Sequence, residues 1–447
     1  MAAMATMATM AVLSDGSAHL AGSAHLAGAG SLHGGPFWGS VRGSVRPPMR
    51  RPAWQRLAGL LAAWVPACCT PVGAAPLDTL LSARPERLAD TAYLELAVDR
   101  VRFTLEPADP TGAGGLGTTG AGGLGTTGAS AAPRNGGYRG LQLAGAWRAS
   151  ERWWLMAGLW QRDISNGVDN FRYQSGLLAG QVRLSEGSAA PAGDSATGLG
   201  ALWATAPAPT VALRLAAWGN QAAITESTTP VRVPGAVLDT VTVSRPADQQ
   251  LQADLIATWA LSSALDVNAA LGAGISRLSY GALTATTTRN GCPYQLSFNG
   301  NDIFGTLARP CNGDGGGVIR QFYDRSGDYG VDVSNEIAWR GHFVQAGLNA
   351  AWRQGPWALR AGYLYHTVQR TAVDAILAQR GAPVHRHNHV MALESAYHFT
   401  PHLSGVVRGQ FSNRLFFNDL PVTYNSATSG NFGSRYAVLS LGLRAGF

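Results

Sequence analysis

Chemistry in this chain would have to come from a small set of side chains. A serine nucleophile needs a general base within hydrogen-bond reach. Two runs offer the residue types, His402-Leu403-Ser404 and Gln410-Phe411-Ser412-Asn413. The first falls in a predicted turn. In the second, Gln410 stands where a base is needed, and an amide cannot take the proton. His385, His387 and His389 alternate, which could put three imidazoles on one face for a transition metal, but they lie in an exposed loop-to-strand region where a solvated loop is the expected reading. Asn312-Gly313-Asp314 lacks the spaced ligands of a calcium loop. No catalytic, cofactor-binding or metal-binding residue is therefore expected, and no enzyme.

A second set is charged rather than reactive. Arg214, Asp254, Asp332, Glu336, Arg360, Glu394, Arg408 and Arg444 each oppose an apolar row in a segment of alternating pattern. That placement predicts side chains facing the lumen of a barrel. A ring of one sign would select ions; both signs are present, which points to internal salt bridges.

The elements that must position these residues are strands. Leu251, Ala253, Leu255, Ala257, Trp259 and Leu261 form one apolar row, and Leu265, Val267, Ala269, Leu271, Ala273 and Ile275 another, across a turn at Ser262-Ser263. Each is long enough to cross a membrane as a tilted strand. Similar hairpins are predicted at 138–148 with 152–162, 343–353 with 357–368, and 389–399 with 403–413. Further strands are expected at 92–105, 171–184, 209–219, 329–340 and 436–447. An even count puts both chain ends on one side, so a strand at 318–323 is added. The expected fold is all-β, a transmembrane antiparallel β-barrel of about 14 strands, with 12–16 satisfying the pattern. It has short periplasmic turns and long extracellular loops at 106–137, 220–249, 279–315, 369–387 and 414–434. Trp147, Trp153, Trp154, Trp160, Trp259, Trp339, Trp352 and Trp357 fall near strand ends, as interfacial girdles would.

Composition agrees. Of 447 residues, 56 are Gly and only 14% are charged, against about 25% in soluble domains. After the N-terminal region no run approaches the roughly 18 apolar residues of a spanning helix. The charge of +7 is carried by Arg, with no Lys present. No basic cluster is interleaved with aromatics, so nucleic acid is not an expected partner. Short perfect repeats, SAHLAG at 17–22 and 23–28 and TGAGGLGT at 111–118 and 119–126, read as tandem duplications in DNA.

Met49-Arg50-Arg51 and Arg56, the apolar run Leu57–Cys69, and Val72-Gly73-Ala74 have the order of a secretory signal with a cleavage site before Ala75. The expected organisation is an extension at 1–48, upstream of a true start at Met49 or disordered. A signal peptide at 49–74, a periplasmic segment at 75–90 and the barrel at 91–447 follow. Val65-Pro66-Ala67-Cys68 resembles a lipobox, so acylation at Cys68 is the alternative to simple cleavage. After cleavage at Ala74 only Cys292 and Cys311 stay, and an even count in an oxidising compartment predicts a disulfide.

Leu439, Leu441, Leu443 and Phe447 alternate with small or polar residues and end the sequence on an aromatic. This resembles the C-terminal β-signal of bacterial outer-membrane β-barrel proteins. The resemblance covers about ten residues and implies delivery to the outer membrane by the barrel-assembly machinery, with membrane lipid and lipopolysaccharide as surroundings. Gln354-Gly355-Pro356-Trp357 with Leu359–Tyr363 resembles a turn of phosphate-selective porins over some ten residues; their arrays of basic residues are not evident, so no anion site is carried over. Gln410–Asn413 resembles the His-x-Ser-Asn pattern of outer-membrane lipid A deacylases, with Gln410 in the place of the base. The expected function is a passive, porin-like channel for small polar solutes. A non-conducting structural or adhesion barrel and a lipid-modifying hydrolase are the alternatives, with transport of an apolar ligand as a subsidiary option. Oligomeric state is not legible in the sequence.

Overall fold

The computed structural model describes residues 80–85, 92–105, 134–165, 169–188, 208–228, 230–233, 236–312, 319–414, 420–426 and 428–447. The extension at 1–48, the signal peptide at 49–74 and Cys68 lie outside the described residues, as does the 75–90 segment apart from 80–85.

The first strands are β1 (Ala92–Leu105), β2 (Arg134–Arg148), β3 (Trp153–Ser165), β4 (Asn170–Ser185) and β5 (Thr210–Gln221). Short strands β6 (Ile224–Ser227), β7 (Val231–Val233) and β8 (Ala236–Ser244) precede β9 (Ala247–Ala260) and β10 (Leu265–Ser279). Then come β11 (Ala282–Arg289), β12 (Cys292–Asn299), β13 (Asp302–Leu307) and β14 (Gln321–Arg325). The chain ends with β15 (Arg340–Gln354), β16 (Trp357–Arg370), β17 (His387–Thr400), β18 (Leu403–Ser412) and β19 (Tyr436–Gly446). Among the described residues two α-helices interrupt this series, α1 (Val333–Glu336) and α2 (Thr371–Gln379).

Twelve strands close an antiparallel barrel in the order β1-β19-β18-β17-β16-β15-β10-β9-β5-β4-β3-β2. The period-2 pattern sets the register, because a one-residue slip would turn every apolar side chain inward. On β1, Leu94, Leu96 and Val98 face out half-exposed while Glu95, Ala97 and Asp99 are buried inside. On β10 the outward row from Leu265 to Ile275 rises about 3.3 Å per residue on a strand tilted about 40°, giving a belt about 25 Å tall, the height a bilayer core requires. At one end the turns are short, as at Gly355-Pro356 between β15 and β16. Gly355 there takes φ +55°, a left-handed conformation that suits glycine.

The count of 12 lies at the low end of the expected range, and two expected strands are elsewhere. The strand placed at 318–323 is β14, and it belongs to a second sheet of order β14-β13-β12-β11-β8-β6, with β7 paired to β8. The segment 329–340 is not a strand. A 3₁₀ turn at Ser326–Tyr329 leads to α1, where the Asp332 side chain accepts from Asn335 N and caps the helix. The second sheet arises within connections read as loops, 220–249 and 279–315. Their Thr- and Val-rich runs, Thr240–Val243 and Thr284–Thr288, have strong strand preference.

Tryptophan placement also divides. Trp147, Trp153 and Trp357 face outward at the short-turn end, as a girdle would. Trp154, Trp160 and Trp339 are buried inside instead. Trp154 and Trp160 lie an odd number of residues from Trp153 and so point to the opposite face of β3.

Candidate functional site

The barrel interior is built from alternate residues of every barrel strand, and its centre is ionic. Arg214 on β5 and Asp254 on β9 are directly opposed; Arg214 Nε donates to Asp254 Oδ2 at 2.9 Å, and both are buried. Gln252 and Gln345 donate to the same carboxylate at 2.7 and 2.9 Å. Gly272 faces it across the ladder, where a Cβ would come within 2.0 Å of Asp254 Oδ1, so a side chain there would displace the acceptor.

Across the barrel, Glu394 on β17 accepts from Arg408 Nε at 2.8 Å and Nη2 at 2.6 Å, from Arg444 Nη2 at 3.3 Å, and from Arg360. Glu95 accepts from Arg444 at 2.6 Å and from Arg408 at 3.1 Å. Three guanidiniums thus enclose two carboxylates, and the Arg444 guanidinium also lies 5.1 Å from the Tyr93 ring centre. Buried charge persists only when paired in this way.

Six of the eight charged residues expected in the lumen, Arg214, Asp254, Arg360, Glu394, Arg408 and Arg444, sit on inward barrel positions. Asp332 and Glu336 do not. They belong to the β14–β15 connection, because the backbone there turns into α1. Asp332 caps that helix and accepts from Asn301 Nδ2 at 3.1 Å. Glu336 accepts from Arg380 Nη1 at 2.8 Å and Nη2 at 2.5 Å, tying α1 to the end of α2. Glu95, central to the network, was missed, although the alternation of Leu94, Leu96 and Val98 marks it as inward.

Both ends of the lumen hold chain. At the short-turn end Leu80–Ala83 is buried among barrel side chains. Asn349 Nδ2 donates to Leu81 O at 2.6 Å, Gln181 Nε2 to Ser82 O at 2.9 Å, and Ala83 N donates to Thr258 Oγ1 at 2.8 Å. Leu81 and Ala83 pack on Ala212 and Ile256. At the other end the β18–β19 connection enters the mouth. Val422 N donates to Asp248 Oδ2 at 3.0 Å, and Trp339 Nε1 donates to Tyr424 O at 2.8 Å. Leu420 packs with Tyr138, Tyr173 and Tyr436. Tyr424 and Phe432 pack with Trp339, Phe343 and Val368 and with Val373 and Leu377 of α2. The Arg370 guanidinium stands 3.7 Å from the centre of the Tyr424 ring.

Beyond this mouth, a cavity of about 330 Å³ lies against the apolar face of the second sheet. Leu238, Val241, Leu283, Leu296, Ile303 and Phe322 form much of its wall. Asn425 and Ser426, next to Tyr424 in the mouth segment, also line it. Ser326 borders the same space, and its buried hydroxyl has no hydrogen-bond partner among the described residues. Cys292 on β12 is bridged to Cys311, closing the loop that carries β12 and β13.

The remaining candidates are placed as follows. Leu439, Leu441 and Leu443 face outward on β19, which pairs with β1 to close the barrel. Phe447 is exposed, and its backbone N donates to Ala92 O at 3.0 Å. Ser412 Oγ is buried 2.9 Å from both Asn388 Oδ1 and Arg414 O. His402 is exposed at the short-turn end, whereas Ser404 faces inward. His389, the expected first residue of a strand, lies on β17, which begins two residues earlier at His387; the two Nδ1 atoms are 2.7 Å from the hydroxyls of Tyr363 and Tyr365. Among the described residues no group of three His, Cys, Asp or Glu side chains is arranged to hold a metal.

No family model and no curated protein matches the sequence. Among solved structures, the chain is similar to the translocator domain of autotransporter NalP from Neisseria meningitidis, at 10% identity and TM-score 0.41, over 88% of this chain and 97% of that one. It is similar to a Pseudomonas aeruginosa FadL homologue at 9% identity and TM-score 0.35, over 83% and 94%. It is also similar to the CymD monoaromatic hydrocarbon channel at 12% identity and TM-score 0.32, over 85% and 98%. At these values the architecture rests on the strand register above and not on the likenesses.

Proposed function

We propose that this chain is an outer-membrane barrel that binds a small, largely apolar molecule outside the barrel and admits it when the mouth segment moves. One observation carries the reading: the 330 Å³ apolar cavity shares Asn425 and Ser426 with the segment that fills the barrel mouth. Its volume is at the small end of ligand pockets, about 300–1,000 Å³. Ser326 offers the ligand one polar contact. Passage of polar solutes, the expectation from sequence, needs a hydrated lumen, and paired charges with chain at both ends argue for a dry one.

The experiment is titration of the purified protein with an apolar fluorescent dye such as N-phenyl-1-naphthylamine. Ala285→Phe, which fills the cavity, should weaken dye binding about tenfold, the effect of losing some 1.4 kcal/mol. Unchanged dye binding in a folded variant refutes the reading. A second reading, a non-conducting structural barrel, is favoured by the ionic network and the filled ends. It predicts dye binding without dye transfer into the lumen of proteoliposomes. Delivery through the C-terminal β-signal belongs to both readings, and loss of assembly on Phe447→Ser would support it.

A further inference from the structure

We propose that the loop-side rim of the barrel carries two binding sites for the phosphate of an anionic membrane lipid, each built from a cross-strand pair of arginines. Arg100 on β1 is directly opposite Arg139 on β2, and Arg277 on β10 is directly opposite Arg340 on β15. All four side chains are exposed on the outward face of the barrel. They sit at the edge of the apolar belt. Arg100 follows Val98 as the next outward residue, Arg139 precedes Leu141, and Arg277 follows Ile275, each neighbour being exposed and apolar. Arg340 is separated from exposed Val344 by His342 on the same face.

Directly opposed residues hold their Cβ atoms about 4.5–5.5 Å apart, and like charges there repel. Among the described residues none of these four arginines forms an ion pair; Asp163, directly opposite Arg139 on β3, is engaged instead by Arg172 at 2.6 Å. Two adjacent guanidinium forks with no anion of their own suit one phosphate, which each can grip through two N–H bonds. At that height on a membrane-spanning barrel, the neighbouring groups are lipid headgroups. Geometry repeats the arrangement: in the barrel order four strands separate the β1/β2 seam from the β10/β15 seam in either direction, so the sites lie on opposite sides. The inference rests on the barrel standing in a membrane and not on what the external cavity binds, so either can fail alone.

Native mass spectrometry of the full-length protein in detergent tests it, with phosphatidylglycerol, phosphatidylcholine and inorganic phosphate as probes. Two phosphatidylglycerol molecules should be retained about thirtyfold more strongly than phosphatidylcholine, as two arginines near a membrane surface would give. Arg100→Gln/Arg139→Gln should lose one lipid, Arg277→Gln/Arg340→Gln the other, and retention by the unaltered protein should fall as salt rises. Equal retention of phosphatidylcholine, or full retention by the fourfold variant, overturns the proposal. Displacement by inorganic phosphate at matched concentration also overturns it, because the sites would then hold free anions. If a double variant fails to fold by its migration before heating, Arg139→Gln and Arg340→Gln singly carry the same prediction.

Discussion

Glu394→Gln replaces one of two carboxylates that hold three buried guanidiniums, with almost no change in volume. Arg360, Arg408 and Arg444 all contact Glu394, so the variant leaves three cations against Glu95 alone. If the interior is dry, breaking a buried pair from one side costs about 3–5 kcal/mol, mostly from the charge left behind. If water fills the lumen, the same contacts behave like exposed pairs and are worth about 0–1 kcal/mol. The two outcomes differ by more than the error of an unfolding experiment. Urea unfolding of the protein in phosphatidylcholine vesicles, followed by tryptophan fluorescence, measures the difference. Arg360→Met in the same chain should recover much of the loss, because two guanidiniums against one carboxylate restore the original excess of one. A cost below about 1 kcal/mol for Glu394→Gln would mean a hydrated interior, and the closed-lumen argument would fall with it.

Other consequences are local. Burial, reinforced by Arg414 and Arg370, pushes the His385 imidazole down from 6.5 to about 4. The folded connection therefore keeps it neutral, and the unfolded chain binds the proton first. Its contribution is fully present above pH 6.5 and is lost as pH falls toward 4. Hydrogen exchange in 371–386 should quicken across that window, and His385→Gln should flatten the dependence. Replacing Cys292 and Cys311 by Ser should cost about 3 kcal/mol, confined to the second sheet. Limited proteolysis should then cut 282–312 while the barrel keeps its unheated gel mobility; simultaneous loss of the barrel would refute that independence. Asn349→Ala with Gln181→Ala removes both side-chain donors to the Leu81 and Ser82 carbonyls, at about 1–3 kcal/mol for each carbonyl left unsatisfied. Planar-bilayer recordings should show more frequent openings than the unaltered protein, and an unchanged record would mean that 80–85 does not obstruct the lumen.

The barrel was legible because its signal is local. Each strand alternates over ten or more residues, and the lipid face tolerates so few polar groups that the inward set stands out. Arg214, Asp254, Arg360, Glu394, Arg408 and Arg444 were all found from that contrast. The same rule misled at 329–340, where Tyr329, Val331 and Val333 alternate with Gly330, Asp332 and Ser334. Here a competing local signal won: Asp332 accepts from the amide of Asn335, and the helix it starts carries Glu336 to Arg380. The second sheet escaped notice for another reason. Its strands are short and lie in connections whose polar content is what loops also show, so periodicity over so few residues does not separate the two.

What closes the lumen could not be read from the pattern at all, because it depends on pairings between distant segments. Leu81 meets Asn349, separated by 268 positions, and Val422 meets Asp248, separated by 174. No periodicity encodes such partners; they follow from which polar groups stay unsatisfied once the barrel has formed. Asp248, Thr258 and Asn349 point into the interior, and beside the side-chain partners Asn220 and Asn268 each also takes a backbone N–H or C=O. A barrel this narrow thus recruits its own chain to complete its hydrogen bonds. That dependence gives the mouth segment its meaning. Its backbone serves the barrel while Asn425 and Ser426 line the external cavity, so under the proposed function a molecule bound there would press on the same few residues that close the path inward.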